Sequence, residues 1–125
     1  MSDDTAARGP RINETYQYLA EKLGEARRRL MLPMPEGGET EGIVQAFTEC
    51  SLAFHHTQVD ELDEPGRGWA KKIQAIMDDS SFDPTAGDAT WYLKASSMSV
   101  DNKLDLRTAV DGLATWARLK FYRIE

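Results

Sequence analysis

Histidine and carboxylate side chains, the residue types that most often bind metal ions, occur together between residues 43 and 62. This stretch, IVQAFTECSLAFHHTQVDEL, is predicted to be one helix, on which Glu49, His56 and Asp60 fall within about 40° of one another. Carboxylates and imidazoles on one helix face are ligands in metal-containing helical bundles. Those sites draw on several helices, however, and no other predicted helix supplies a histidine. We therefore favour a solvated polar stripe and expect no metal, with a metal-binding bundle (an enzyme or a sensor) as the alternative.

The single cysteine, Cys50, cannot form an intramolecular disulfide. On the predicted helix it lies between Phe47 and Phe54 on the main apolar face, and neither histidine falls on that side. We expect a buried thiol that packs as a small hydrophobic group and does not act as a nucleophile. On the second apolar face, His55 is expected to pack and to donate a hydrogen bond.

Sequence patterns that mark catalytic or nucleotide-binding sites are absent from this chain. It contains no G-x-S-x-G, no dinucleotide fingerprint and no phosphate-binding loop, since the glycines of GGETEG lack the necessary lysine. The sequence therefore predicts a protein that is not an enzyme and that holds no cofactor.

Negative charge is concentrated in the middle of the chain. Residues 36–88 carry twelve acidic and three basic side chains, whereas residues 1–35 and residues 89–125 are each slightly basic. A segment of net charge −9 repels phosphate backbones and attracts positively charged surfaces. We expect no direct binding of nucleic acid and a basic protein surface as the partner, a nucleic-acid-handling protein being one such class.

Carboxylates of this middle segment are the candidate contact residues. Those that we predict to bind the partner are Glu49, Asp60, Glu61, Asp63, Glu64, Asp78 and Asp79. Asp60, Glu61, Asp63 and Glu64 lie close together in sequence at one predicted helix junction. Such a group of charges serves to keep a junction in solvent about as often as it serves to bind a partner. Asp78 and Asp79 follow the C-terminal end of a predicted helix, where the macrodipole disfavours negative charge, and this indicates a role outside the fold.

The spacing of apolar residues predicts an all-α, single-domain helical bundle. We expect four main helices at about residues 13–30, 43–62, 65–78 and 99–122, and a short fifth helix at 88–98. The short segment also alternates like a strand, but no second strand exists for it to pair with. Residues 43–62 are apolar around most of the helix and so should be central, whereas residues 1–11 should form a loose lead-in.

Several residues lie outside the predicted core stripes. Gly112 costs the last helix about 1 kcal/mol relative to alanine, and its small size would let another helix or a partner approach closely. Leu119, Tyr122 and Tyr18 also fall off the main stripes. If they gather near the carboxylates, they would form the apolar anchor and polar rim of a protein interface.

Composition and length complete the functional hypothesis. Hydrophobic residues make up 41% and charged residues 29% of 125 residues, which is typical of one folded domain. No apolar run reaches the 18 residues that a membrane span needs, and MSDDTAARGP lacks the basic and apolar parts of a signal peptide. We expect a small, acidic, cytoplasmic protein, of the immunity, inhibitor or accessory-subunit type, that docks a basic partner. It would be a monomer, or a homodimer through the second apolar face of the central helix.

Overall fold

A computed structural model describes residues 16–31, 38–78 and 89–122 of the chain. The helices are α1 (Gln17–Met31), α2 (Gly38–His56), α3 (Gly66–Met77), α4 (Ala89–Ser96) and α5 (Val100–Tyr122), with a 3-10 turn at Val59–Glu61. These ranges contain no strand, which confirms the prediction of an all-α bundle with four main helices and one short helix. The predicted lead-in at residues 1–11 lies outside the described residues.

Helix α1 lies between the two longest helices of the described chain. Contacts between helices run in the order α4 to α2, α2 to α1, α1 to α5 and α5 to α3. The residues that α1 buries recur at helical spacing, and they are Leu19, Leu23, Ala26 and Leu30. Their side chains join a hydrophobic cluster that includes residues from all five helices. None of the described helices has the length and hydropathy needed to cross a bilayer.

The predicted central helix has different boundaries in the structure. It begins at Gly38, whose φ of +92° lies in the left-handed region, and it ends at His56 instead of near residue 62. On a continuous helix Val59 and Leu62 would project from the outer face, away from buried Ile43. Because the helix stops at His56 and the chain turns, both side chains instead lie in the core, at 9% and 5% exposure.

Helices α3 and α5 meet through glycine and tryptophan. The ring of Trp69 in α3 lies against Gly112 in α5, and the ring of Trp116 in α5 lies against Gly66 in α3. A Cβ atom at either glycine would overlap the facing indole. Of the two alternatives for Gly112, a neighbouring helix or a partner, the described residues show the helix: a side chain of α3 fills the space.

Within the predicted segment 88–98, Ala89–Ser96 form helix α4, which agrees with a helix and not with a strand. It docks on α2 through Trp91, whose ring makes an edge contact with Phe47 at 5.9 Å between centroids. Ala95 and Met98 are also buried. The helix therefore depends on side-chain packing against α2 for its place in the bundle.

Candidate partner-binding corner

The chain between α2 and α3 presents four carboxylates on a well-defined turn. We call this group the acidic corner; its members are Asp60, Glu61, Asp63 and Glu64, and all four are exposed. Val59 and Leu62 alternate with them and are buried, so the turn is fixed from below by two apolar side chains. Its backbone is closed by a hydrogen bond from the Leu62 N–H to the Val59 carbonyl, at 3.1 Å.

Asp60 forms the shortest ion pair of the acidic corner. Lys71 Nζ in α3 lies 2.6 Å from Asp60 Oδ1, and their side chains are 55% and 83% exposed. Hydrogen bonding and attraction to Lys71 lower the pKa of Asp60 below its ordinary value. The carboxylate therefore stays ionised in an environment that is open to solvent.

Asp63 and Glu64 are paired as well. Lys120 Nζ near the end of α5 lies 3.3 Å from Asp63 Oδ2. Arg67 Nε lies 3.0 Å from Glu64 Oε2. The other Glu64 oxygen accepts a hydrogen bond from a backbone N–H in the first turn of α3, which is a favourable position for a carboxylate.

These pairs change the charge that the acidic corner presents. Three of its four carboxylates face a cation of the same chain, so one net negative charge remains at short range. Within the described residues, Glu61 has no ion-pair partner. The sequence showed the Arg67 cation three residues from Glu64, but the approach of Lys71 and Lys120 depends on the fold.

Glu49, His56 and Asp60, predicted to share a solvated polar stripe or, as the alternative, to bind a metal ion, do not lie on one helix face. Asp60 lies beyond the end of α2, so the prediction that it shares a helix with Glu49 and His56 is wrong. Glu49 instead pairs with Lys22 of α1, at 3.5 Å between Oε1 and Nζ. The His56 ring makes an edge contact with Tyr18, at 4.7 Å between centroids. Across the described ranges, no three His, Cys, Asp or Glu side chains are grouped so that they could hold a metal ion.

Of the two remaining predicted contact residues, the structure describes only Asp78. Asp78 is exposed at the C-terminal end of α3, about 18 Å along the helix from the acidic corner at its other end. Asp79 lies outside the described residues. The six described candidates therefore do not form one surface, and the acidic corner is the part that the structure brings together.

The prediction that Cys50 is buried is confirmed, and the prediction that His55 packs within the protein is wrong. Cys50 is fully buried, and burial raises the pKa of its thiol to about 12, so the thiolate is disfavoured. His55 is exposed on the outer face of α2, next to the exposed Leu52, and its ring contacts His56. The α2 residues that join the hydrophobic cluster, among them Ile43, Phe47 and Cys50, lie on a different face of the helix from His55.

Comparison with known proteins assigns no family, since no family model, no curated protein and no solved structure matches the chain. The described residues define a small all-α bundle. A functional proposal therefore depends on the residues and geometry given above.

Proposed function

We propose that this chain is a non-enzymatic protein-binding module of the inhibitor, immunity or accessory-subunit type. It acts in the cytoplasm and docks a basic surface of another protein, such as a protein that handles nucleic acid. The acidic corner makes the contact. Its turn is held by buried Val59 and Leu62, so the backbone that carries the four carboxylates needs little ordering when a partner binds.

The observation that carries this proposal is the ion pair between Asp63 and Lys120, which joins the acidic corner to the last turn of α5. Leu119 adjoins Lys120 in that turn and is 70% exposed, and Tyr122 is 47% exposed. An interface typically combines a few apolar or aromatic anchors with a polar rim. Leu119 and Tyr122 supply the anchors, and the acidic corner supplies the rim.

Internal pairing of the acidic corner does not prevent exchange with a partner. Exposed ion pairs contribute little to stability, so lysines or arginines of a partner can replace Lys71 or Lys120 at small cost. The net charge of −6 attracts a basic protein at longer range, and this attraction weakens as salt rises. Glu61 is open to a partner cation without any exchange.

The proposal is tested by affinity capture from nuclease-treated extract of the native host. The wild type is compared with a variant in which all four residues of the acidic corner are changed to lysine. We expect a partner that the wild type retains and the variant loses, and an association rate constant for the purified pair that falls with salt. If the wild type and the lysine variant retain the partner equally, the acidic corner is not part of the interface.

A matched control separates local contact from net charge. Lysine substitution of Glu21, Glu25, Asp105 and Asp111 changes the net charge by the same amount. Like the acidic corner, this set holds three paired carboxylates and one without an ion-pair partner among the described residues. The control variant should keep the partner at high salt, where long-range attraction is screened.

A further inference from the structure

An open pocket of about 320 Å³ lies between α2 and α3, at the opposite end of α3 from the acidic corner. This volume lies at the lower end of the range for small-molecule sites, so it suits one ring with a short side chain. The described lining residues come from the second half of α2 and the end of α3, and they are Ser51, Phe54, His55, Gln74, Met77 and Asp78.

The apolar wall of the pocket favours an aromatic ligand. Phe54 and Met77 are both half-buried and supply this wall. Two aromatic rings pack well edge to face or offset, and a thioether sulfur packs well against the edge of a ring. A ring between Phe54 and Met77 therefore makes better contacts than an aliphatic chain of the same area.

Two polar side chains, one from each helix, are open to a ligand. The Thr48 hydroxyl, one turn before Ser51, donates to the carbonyl of Val44 at 3.0 Å. Neither the Ser51 hydroxyl nor the amide of Gln74 makes such a bond with any residue that the structure describes. A hydroxyl and an amide can each donate and accept. A ligand hydroxyl does both as well, so it can bond to Ser51 and to Gln74 through a single oxygen atom.

The charges around the pocket favour a neutral ligand. None of the six described lining residues carries a full positive charge when His55 is neutral, so an anion would find no opposite charge among them. Asp78 is acidic, but it already has an interaction partner and is not counted as a group that is open to a ligand. A charged ligand would therefore lose hydration on entering and gain no available opposite charge in return.

We propose that this pocket binds a small, neutral aromatic alcohol. The ring packs between Phe54 and Met77. The hydroxyl accepts a hydrogen bond from Ser51 and donates one to the side-chain carbonyl of Gln74. This binding is separate from the docking of a basic protein, because none of the described lining residues belongs to the acidic corner.

Four probes of similar size test the ligand class: 2-phenylethanol, its methyl ether, 2-phenylethylamine and 3-phenylpropanoate. Binding is followed by chemical-shift changes in the full-length protein. We expect the alcohol to bind about threefold more tightly than the ether, because methylation removes the hydrogen-bond donor. The amine and the carboxylate should both bind more weakly than the alcohol. Equal affinity for the alcohol and the ether, tighter binding of either charged probe, or no alcohol binding at about 10 mM would overturn the proposal.

Substitution of the two polar residues tests the hydrogen bonds to the ligand. The double variant Ser51→Ala, Gln74→Met keeps the apolar wall and removes both polar groups, so it should bind the alcohol no more tightly than the ether. Thr48→Ala is the matched control, because it removes a hydroxyl from the same helix outside the described pocket lining. It should keep the wild-type preference for the alcohol. A preference that persists in the double variant would overturn the roles of Ser51 and Gln74.

Tryptophan substitutions on α3 locate the site. Gln74→Trp fills the pocket from an exposed position and should abolish binding of the alcohol and of the ether. Ala75→Trp places the same side chain at the next exposed position of α3, outside the described pocket lining, and should bind as the wild type does. Unchanged binding in Gln74→Trp would overturn the assignment.

The charge-reversed acidic-corner variant distinguishes this inference from the proposed function. It should lose the protein partner and still bind 2-phenylethanol. Loss of the alcohol in that variant would show that the two sites are not separate and would overturn the inference.

Discussion

The indole ring of Trp69 in α3 occupies the space that a side chain on Gly112 in α5 would need, with Trp69 Cε2 2.6 Å from the position of a Cβ atom. In the same way, the indole ring of Trp116 in α5 occupies the space that a side chain on Gly66 in α3 would need. Each helix therefore offers a notch and a tryptophan to the other. Such contact requires the absence of a methyl group at two positions on facing helices.

Gly112→Ala should destabilise the protein although alanine is the better helix former. The alanine gains about 1 kcal/mol in helix propensity, but its Cβ overlaps the Trp69 ring and forces the indole or the helix to move, which typically costs about 1–3 kcal/mol. The net loss should appear as a lower midpoint in urea unfolding with an unchanged slope.

Gly24→Ala is the matched control. Among the residues that the structure describes, no atom outside the local helix lies within 4 Å of a Cβ built at Gly24 in α1. The alanine should therefore raise the free energy of unfolding by about 0.5–1 kcal/mol. If both variants shift stability in the same direction, the contact between Trp69 and Gly112 is not what holds α3 on α5.

Burial of Cys50 predicts a specific loss of stability in alkali. The pKa of this thiol is about 12 in the folded protein and about 8.5 in an unfolded chain. As pH rises above about 8.5 only the unfolded state releases the proton, so the stability present below that pH is progressively lost. Between about pH 8 and pH 10 the wild type should lose about 2 kcal/mol more than Cys50→Ala does.

Urea unfolding of both proteins at several pH values measures this difference. Tyrosine and lysine residues titrate in the same range, but they do so equally in the two proteins, so their effects cancel in the comparison. Parallel pH profiles for the wild type and Cys50→Ala would contradict a buried thiol.

Helical spacing predicted the faces of the helices better than their ends. In α2 the sequence placed Ile43, Phe47 and Cys50 on one apolar face, and these residues are buried. Spacing alone could not show that α2 ends before Val59 and Leu62 and that both side chains are then buried. The same two positions also fit the second apolar face of a longer helix. The free energy of burying both residues depends on neighbours that the local sequence does not reveal.

In the acidic corner, too, features that depend on nearby residues could be predicted from sequence, and contacts with distant residues could not. Its four carboxylates were evident from sequence, and the Arg67 cation stands within one helical turn of Glu64. The partner of Asp63 is Lys120, 57 residues further along the chain. Local charge counts therefore predicted a more negative surface than the fold presents.

Glu39 joins the start of α2 to α5 and should contribute stability only above acidic pH. Its carboxylate accepts hydrogen bonds from Lys103 Nζ at 2.8 Å and from Arg107 at 3.4 Å. These contacts, chiefly the one with Lys103, lower the pKa of Glu39. Their contribution is present above the unfolded pKa of about 4.3 and is lost as pH falls through the lower folded pKa.

Glu39→Gln measures that contribution. At neutral pH and low salt the variant should be less stable than the wild type by about 0.2–1 kcal/mol, the usual range for exposed pairs. The difference should shrink towards low pH and at about 1 M salt. A difference that persists in acid would assign the effect to packing at the start of α2.

Helix α4 should be the least protected of the described helices against hydrogen exchange. It is 8 residues long, whereas isolated helices shorter than about 12–15 residues are marginal in water. Its order therefore depends on docking to α2, where the Trp91 ring meets Phe47. Trp91→Ala should lower the protection factors of α4 amides by at least about tenfold and affect those of α1 much less.

Leu93→Ala provides the control in the same helix. Leu93 is 47% exposed, and alanine has the higher helix propensity, so this variant removes apolar surface without weakening the helix itself. Its α4 protection should stay close to that of the wild type. A contrary result would be α4 amides that exchange together with those of α1 in the wild type, in Trp91→Ala and in Leu93→Ala. In that case α4 unfolds only with the whole bundle, and its docking through Trp91 is not an independent step.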